Sequence, residues 1–76
     1  MKLSEMEAGS RGEIVSVGGS PEFQRRITAV GITPGGGFSI VKNDKKYPVL
    51  LNVRSTMLAV DRKDCEEIQA EVIANG

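Results

Sequence analysis

Residues 18–37 read GGSPEFQRRITAVGITPGGG, a stretch that carries both a start and a stop for one short helix in a chain otherwise patterned as strands. Ser20 can accept a backbone N–H bond as N-cap, and Pro21 stands at the first helical position, where its missing N–H costs nothing. At about 100° per residue, Phe23, Ile27 and Val30 fall on one apolar stripe, with Gln24, Arg25, Thr28 and Ala29 opposite. Arg26 flanks the stripe, so its stem can cover the core edge while its charge stays in water. Gly31 is placed to end the helix in the left-handed conformation, with Ile32 folding back on the last turn. A helix from Pro21 to about Val30 is too short to persist alone in water, so it must dock on other elements. Thr33-Pro34-Gly35 then turns the chain, Pro followed by Gly suiting a type II turn.

On either side the pattern shifts to a period of two. Before the helix, Ser4 with Glu7 three residues later reads as a small capping box, stopped by Gly9. Gly12 then opens a β-rich run, Glu13-Ile14-Val15-Ser16-Val17, closed by Gly18-Gly19. After the helix, Phe38 and Ile40 alternate with Ser39 and Val41, and a polar loop, Asn43-Asp44-Lys45-Lys46, leads to Val49, Leu51 and Val53. Arg54-Ser55 is a two-residue connection to Thr56, Leu58 and Val60, hence a hairpin. Asp61 is placed to cap a single helical turn, and Ile68, Ala70 and Val72 alternate with Gln69 and Glu71 in an edge-like final strand ahead of a short tail, Ala74-Asn75-Gly76. The expectation is a mainly β fold: a small, SH3-like, partly open barrel of about five strands, with one short inserted helix and a helical turn before the last strand. Residues 1–76 read as one domain.

Composition narrows the function. Seventy-six residues cannot supply a core, a second domain and a deep catalytic cleft together. There is one cysteine, Cys65, and no histidine, which removes disulfide frameworks, closed zinc sites and the commonest general base. No apolar run is long enough to span a membrane, and acids occupy the N-terminus where a signal peptide would be apolar, so a cytoplasmic protein is expected. Net charge is zero, but residues 11–54 carry seven basic residues against three acids, and residues 55–76 two against five. A nucleic-acid binder would usually be basic overall and richer in aromatics than Phe23, Phe38 and Tyr47 allow. That polarity suits orientation of a protein partner, or is a solvated surface.

Chemistry-bearing motifs are sparse. Gly35-Gly36-Gly37 lacks a P-loop lysine and precedes a strand, so it reads as turn geometry. Cys65 sits beside Glu66 and Glu67, which would raise a thiol pKa, and reads as a structural cysteine. Asp61, Asp64, Glu66 and Glu67 read as a solvated face instead of a cation site. No catalytic, cofactor-binding or metal-ligating residue is assigned.

The pattern Leu3-Ser4, Gly9-x-x-Gly12-x-Ile14-Val15-x-Val17, Arg25-Arg26-Ile27 and above all Val30-Gly31-Ile32-Thr33-Pro34-Gly35, continued by Val53-Arg54 and Leu58-Ala59-Val60, resembles the FeoA family of bacterial ferrous iron transport. The likeness covers nearly the whole chain, with Ile27, Val30, Lys46-Tyr47-Pro48 and Arg54-Ser55 departing from common family choices. It implies an SH3-like domain without enzyme activity or cofactor. Such a domain binds the cytoplasmic region of FeoB, a membrane transporter with an attached GTPase domain, and supports ferrous iron uptake. The implied location is the cytoplasm, with recruitment by the transporter to the inner face of the membrane and no direct insertion. The alternative is a direct transition-metal carrier or sensor, related to the C-terminal domain of metal-dependent repressors; the initiator methionine and the lack of a helix-turn-helix favour the stand-alone form. The expected partner-binding residues are Gln24, Arg25 and Thr28 on the outer helix face, with Thr33, Pro34 and Gly35 of the adjoining turn. Self-association is left open, since a final edge strand could pair between chains.

Overall fold

A computed structural model describes residues 1–75; Gly76, the end of the expected tail, lies outside the described residues. A 3-10 turn (Leu3–Glu5) precedes strand β1 (Ser10–Val17) and helix α1 (Pro21–Ala29). Strands β2 (Gly37–Lys42), β3 (Val49–Val53) and β4 (Thr56–Val60) follow, then the short helix α2 (Arg62–Cys65) and β5 (Ile68–Asn75). The five strands form one antiparallel sheet in the order β4-β3-β2-β1-β5, the expected architecture, with Ala74 and Asn75 absorbed into β5.

Alternation places the core. Val49, Leu51 and Val53 of β3, Phe38 and Ile40 of β2, and Ile68 and Ala70 of β5 point inward and are buried. Leu3 and Met6 close one end, while Phe23, Ile27 and Ile32 bring α1 and its exit against the same cluster. Full burial of each large aliphatic side chain is worth roughly 1.5–3 kcal/mol, which is what holds a nine-residue helix on the sheet.

Three local readings shift. Gly12 lies inside β1 and does not open it: a Cβ there would meet the Glu71 carbonyl oxygen at 2.6 Å and the Phe38 ring at 2.8 Å. The glycine permits a close approach across the sheet, so the strand starts earlier, at Ser10. The first-turn box is offset, because the Glu5 carboxylate accepts the Lys2 N–H at 2.8 Å while the Ser4 hydroxyl donates to Glu66. Asp61 occupies the N-cap position of α2 without a side-chain cap bond. Val72 keeps the alternation, pairing with Gly12 as Ala70 pairs with Ile14, but stands exposed toward the end of the strand; the register shift follows it, between Gly12 and Arg11.

The outer edge of β5 is partly covered. Met1 and Ala70 exchange both backbone bonds (2.7 and 2.9 Å), and Lys2 bridges to Gln69. The β3–β4 hairpin turns through Arg54 (φ 53°) and Ser55 (φ 66°), a type I′ geometry made by two non-glycine residues.

Candidate functional site

Helix α1 starts and stops where its sequence says. The Phe23 N–H donates to the Ser20 hydroxyl oxygen at 3.1 Å, with Pro21 first in the helix. At the other end the Ile32 N–H donates to the Ile27 carbonyl (3.2 Å) and the Gly31 N–H to the Thr28 carbonyl (3.0 Å). That pair of bonds, with Gly31 at φ 101°, is a Schellman motif. It limits the apolar stripe to Phe23 and Ile27: Val30 is the C-cap, 47% exposed, and Ile32 takes its place in the core.

With Phe23 and Ile27 turned inward, Gln24, Arg25 and Thr28 face solvent and line a shallow open depression with Pro21 and Ala29. The Gln24 side-chain amide donates to the Gly19 carbonyl at 3.1 Å, fixing it against the helix entry. The two arginines differ. Arg26 lies over the Phe23 ring, 5.4 Å from its centroid, and pairs with Asp64 at 3.3 Å. Arg25 has no acidic partner among the described residues, so its charge is available to a ligand.

The turn after α1 is also rigid. The Gly36 N–H donates to the Thr33 carbonyl at 2.9 Å, and Gly35 has φ 85°, so Thr33–Gly36 is the expected type II turn. It is clipped to β1 by two bonds, Gly35 N–H to Ile14 O (2.7 Å) and Ile14 N–H to Gly36 O (2.9 Å). Pro34 and Gly35 are exposed and Thr33 is half-buried. The turn does not line the helix depression, so the six expected contact residues form two fixed patches, one on the helix and one on the turn.

Two residues that motif reading passed over organise the join between the β2–β3 loop, α2 and the N-terminal turn. Arg62 donates to Asn43 Oδ1 (2.7 Å) and to the carbonyls of Asp44 (2.9 Å), Tyr47 (3.3 Å) and Ser4 (3.3 Å). The Asn43 amide in turn donates to the Ser4 and Met6 carbonyls. The pair ties the β2–β3 loop to the N-terminal turn. No spacing rule points to it, because Arg62 and Asn43 meet only through the fold.

Burial pushes the Cys65 thiol up to about 12, with Arg62 opposing and Asp64, Glu66 and Asp61 adding to the rise. The dominant cause is thus burial, ahead of the neighbouring acids, and Glu67 plays no part. The sulfur donates to the Val60 carbonyl at 3.6 Å. The Ser4 hydroxyl, followed by Lys2, holds the Glu66 carboxyl below its ordinary range. Asp64 and Glu66 are thus engaged, by Arg26 and by Ser4 with Lys2, and among the described residues no three Asp, Glu or Cys side chains converge on a metal-sized site. Among the same residues no helix is long and apolar enough to cross a membrane.

An antiparallel five-stranded, partly open barrel with a helix between its first two strands and a helical turn before its last defines a small SH3-like domain. The sequence profile of the FeoA domain matches residues 1–72, and the chain belongs to that family. It is 29% identical over 76 residues to an Fe(2+) transport protein A/Fe(2+) transporter FeoB fusion protein of Porphyromonas gingivalis, covering 99% of this chain and 9% of that one. The chain thus spans about a tenth of the length of that relative. The solution structure of FeoA from Chlorobium tepidum superimposes with a TM-score of 0.87 at 31% identity, over 97% of this chain and 71% of that one. FeoA of Stenotrophomonas maltophilia complexed with zinc, a prokaryotic SH3 domain protein, gives a TM-score of 0.80 at 21% identity, over 93% and 89% of the two chains. Family and fold agree with the resemblance read from the Gly31–Gly35 segment, and they link the chain to ferrous iron transport.

Proposed function

We propose that this chain is a non-enzymatic accessory protein of ferrous iron uptake that binds the cytoplasmic region of a FeoB-type transporter and supports its activity. The observation that carries the reading is the fusion relative, in which a segment like this chain shares one polypeptide with the transporter. Fusion keeps two partners at high effective concentration, the arrangement expected where the separate forms must associate. The chain works in the cytoplasm, drawn to the inner face of the membrane by its partner.

The binding face is the outer surface of α1, through Gln24, Arg25 and Thr28, with Thr33, Pro34 and Gly35 as a second point of contact. Both patches are held by backbone bonds at their ends, so they lose little freedom on binding, and Arg25 brings an uncommitted charge. The double substitution Arg25→Glu with Thr28→Glu leaves Phe23 and Ile27 in place. It abolishes binding to the purified cytoplasmic domain of the transporter on this account; unchanged binding would exclude the face. Direct metal carriage, the other reading, lacks a converging ligand set among the described residues, and anaerobic calorimetry with Fe²⁺ distinguishes the two.

A further inference from the structure

The free edge of β4 is the least explained surface of the barrel. The Arg54-Ser55 turn fixes its register against β3, pairing Val53 with Thr56, Leu51 with Leu58 and Val49 with Val60. In a two-residue hairpin the flanking pair exchanges both its backbone bonds. The ladder then alternates, so the N–H and C=O groups of Met57 and Ala59 point away from β3. β4 ends the sheet, and among the described residues those four groups have no backbone partner.

Two depressions flank this edge, and Ala59 borders both. On the outer face of the sheet one is formed by Tyr47, Pro48, Leu50 and Ala59, with Lys42 and Asp44 at its rim. The other lies between β4 and α1, floored by Ile27, Val30, Leu58 and Val60. Large apolar side chains stand open beside them: Tyr47 is 64% exposed, Met57 54% and Val30 47%. A strand laid along β4 would send successive side chains alternately into the two depressions.

Charge selects what such a strand carries. The outer depression is lined by Lys42, the last residue of β2, and by Asp44, which pair with each other at 3.4 Å, while the exposed Lys45 and Lys46 follow in the β2–β3 loop and are the charges left over. Arg62 pins that loop through the carbonyls of Asp44 and Tyr47, so the lysines rise from a fixed frame. On the α1 side Arg26 and Asp64 satisfy each other over an apolar floor, and Asp61, which has no ion pair among the described residues, stands at the rim and disfavours an acid there. We propose that the β4 edge is a strand-addition site for an extended protein segment in which acidic residues alternate with aliphatic ones, the acids toward the lysine loop and the aliphatics toward α1. Three lysines fall short of the clusters of about four to eight that hold a protein on anionic lipid, which favours a peptide over a membrane surface. The site is separate from the outer face of α1, and its failure leaves the role of that face untouched.

The test is titration of the ¹⁵N-labelled chain with a capped octapeptide of alternating glutamate and valine. A lysine–valine octapeptide, the glutamate–valine peptide N-methylated at alternate residues, and phosphatidylserine vesicles are run beside it. Expected are saturable shifts at Val30, Tyr47, Met57 and Ala59, with slowed amide exchange at Met57 and Ala59. Binding weakens at least about tenfold with the N-methylated peptide and with Lys45→Glu plus Lys46→Glu. Ala59→Pro removes an N–H that the β3 ladder does not use and also abolishes binding; if that variant does not fold, the lysine variant and the methylated peptide decide the matter. Absence of saturable shifts, equal affinity for the N-methylated peptide, shifts confined to Gln24, Arg25 and Thr28, or occupation of the same residues by vesicles alone would each overturn the proposal.

Discussion

Replacing Gly31 by alanine isolates the backbone geometry that ends α1. A Cβ at this position meets only Val53 Cγ1, at 3.5 Å, an ordinary contact, so the substitution adds no clash. What it adds is strain, because φ is 101° and an L-residue with a side chain pays about 1–2 kcal/mol in the left-handed region. The chain could relieve the strain by unwinding the last turn. That would break the Gly31–Thr28 and Ile32–Ile27 bonds and pull Ile32 from a site where it is 1% exposed. Exposing Ile32 alone forfeits roughly 1.5–3 kcal/mol, so retained strain is the cheaper outcome. The expected loss is therefore about 1–2 kcal/mol, which lowers Tm by about 4–16 °C for a domain of this size. Urea unfolding and scanning calorimetry read it directly. A loss below about 0.3 kcal/mol would show that positive φ does not pin the helix end, and one above about 4 kcal/mol would show a packing role that the open surroundings do not explain.

Other substitutions test separate parts of the account. Ser55→Gly relieves a non-glycine residue at φ 66° in the β3–β4 turn and should gain about 0.5–1 kcal/mol in urea unfolding, against no gain if the turn is unstrained. Arg62→Lys keeps the charge but loses the forked donor set to Asn43, Asp44, Tyr47 and Ser4, so it should cost about 1–3 kcal/mol and speed amide exchange in the β2–β3 loop. The Cys65 thiol, raised from the ordinary 9.0 to about 12, keeps its proton in the folded chain when the unfolded chain has released it. Its contribution to stability is present in full below pH 9 and is lost between about pH 9 and 12, at up to about 1.4 kcal/mol per pH unit. Cys65→Ala should flatten that slope in pH-dependent denaturation.

The parts of the fold that the sequence disclosed are those set by neighbours in the chain. Ser20 and Pro21 begin α1, Gly31 ends it, Pro34-Gly35 turns, and Arg54-Ser55 closes a hairpin, because each is a matter of three to five consecutive residues. Gly12 was misleading because its reason for being glycine lies across the sheet, at Glu71 and Phe38. Val30 satisfies the helical period yet falls one residue past the helix, where the cap geometry overrides the stripe. The Arg62–Asn43 link and the open β4 edge are products of topology, and neither has a local pattern to announce it. On the candidate site, the outward face of Gln24, Arg25 and Thr28 follows from periodicity, whereas the separation of that face from the Thr33–Gly35 turn follows from the two bonds that clip the turn to Ile14.

The central claim is that this chain docks on the cytoplasmic part of a FeoB-type transporter, and isothermal titration of the intact chain into that purified domain tests it most directly. The account predicts saturable one-to-one binding that weakens as salt rises, because Arg25 contributes an exposed charge to the contact. Absence of saturable binding at low salt, with both proteins folded, would contradict it.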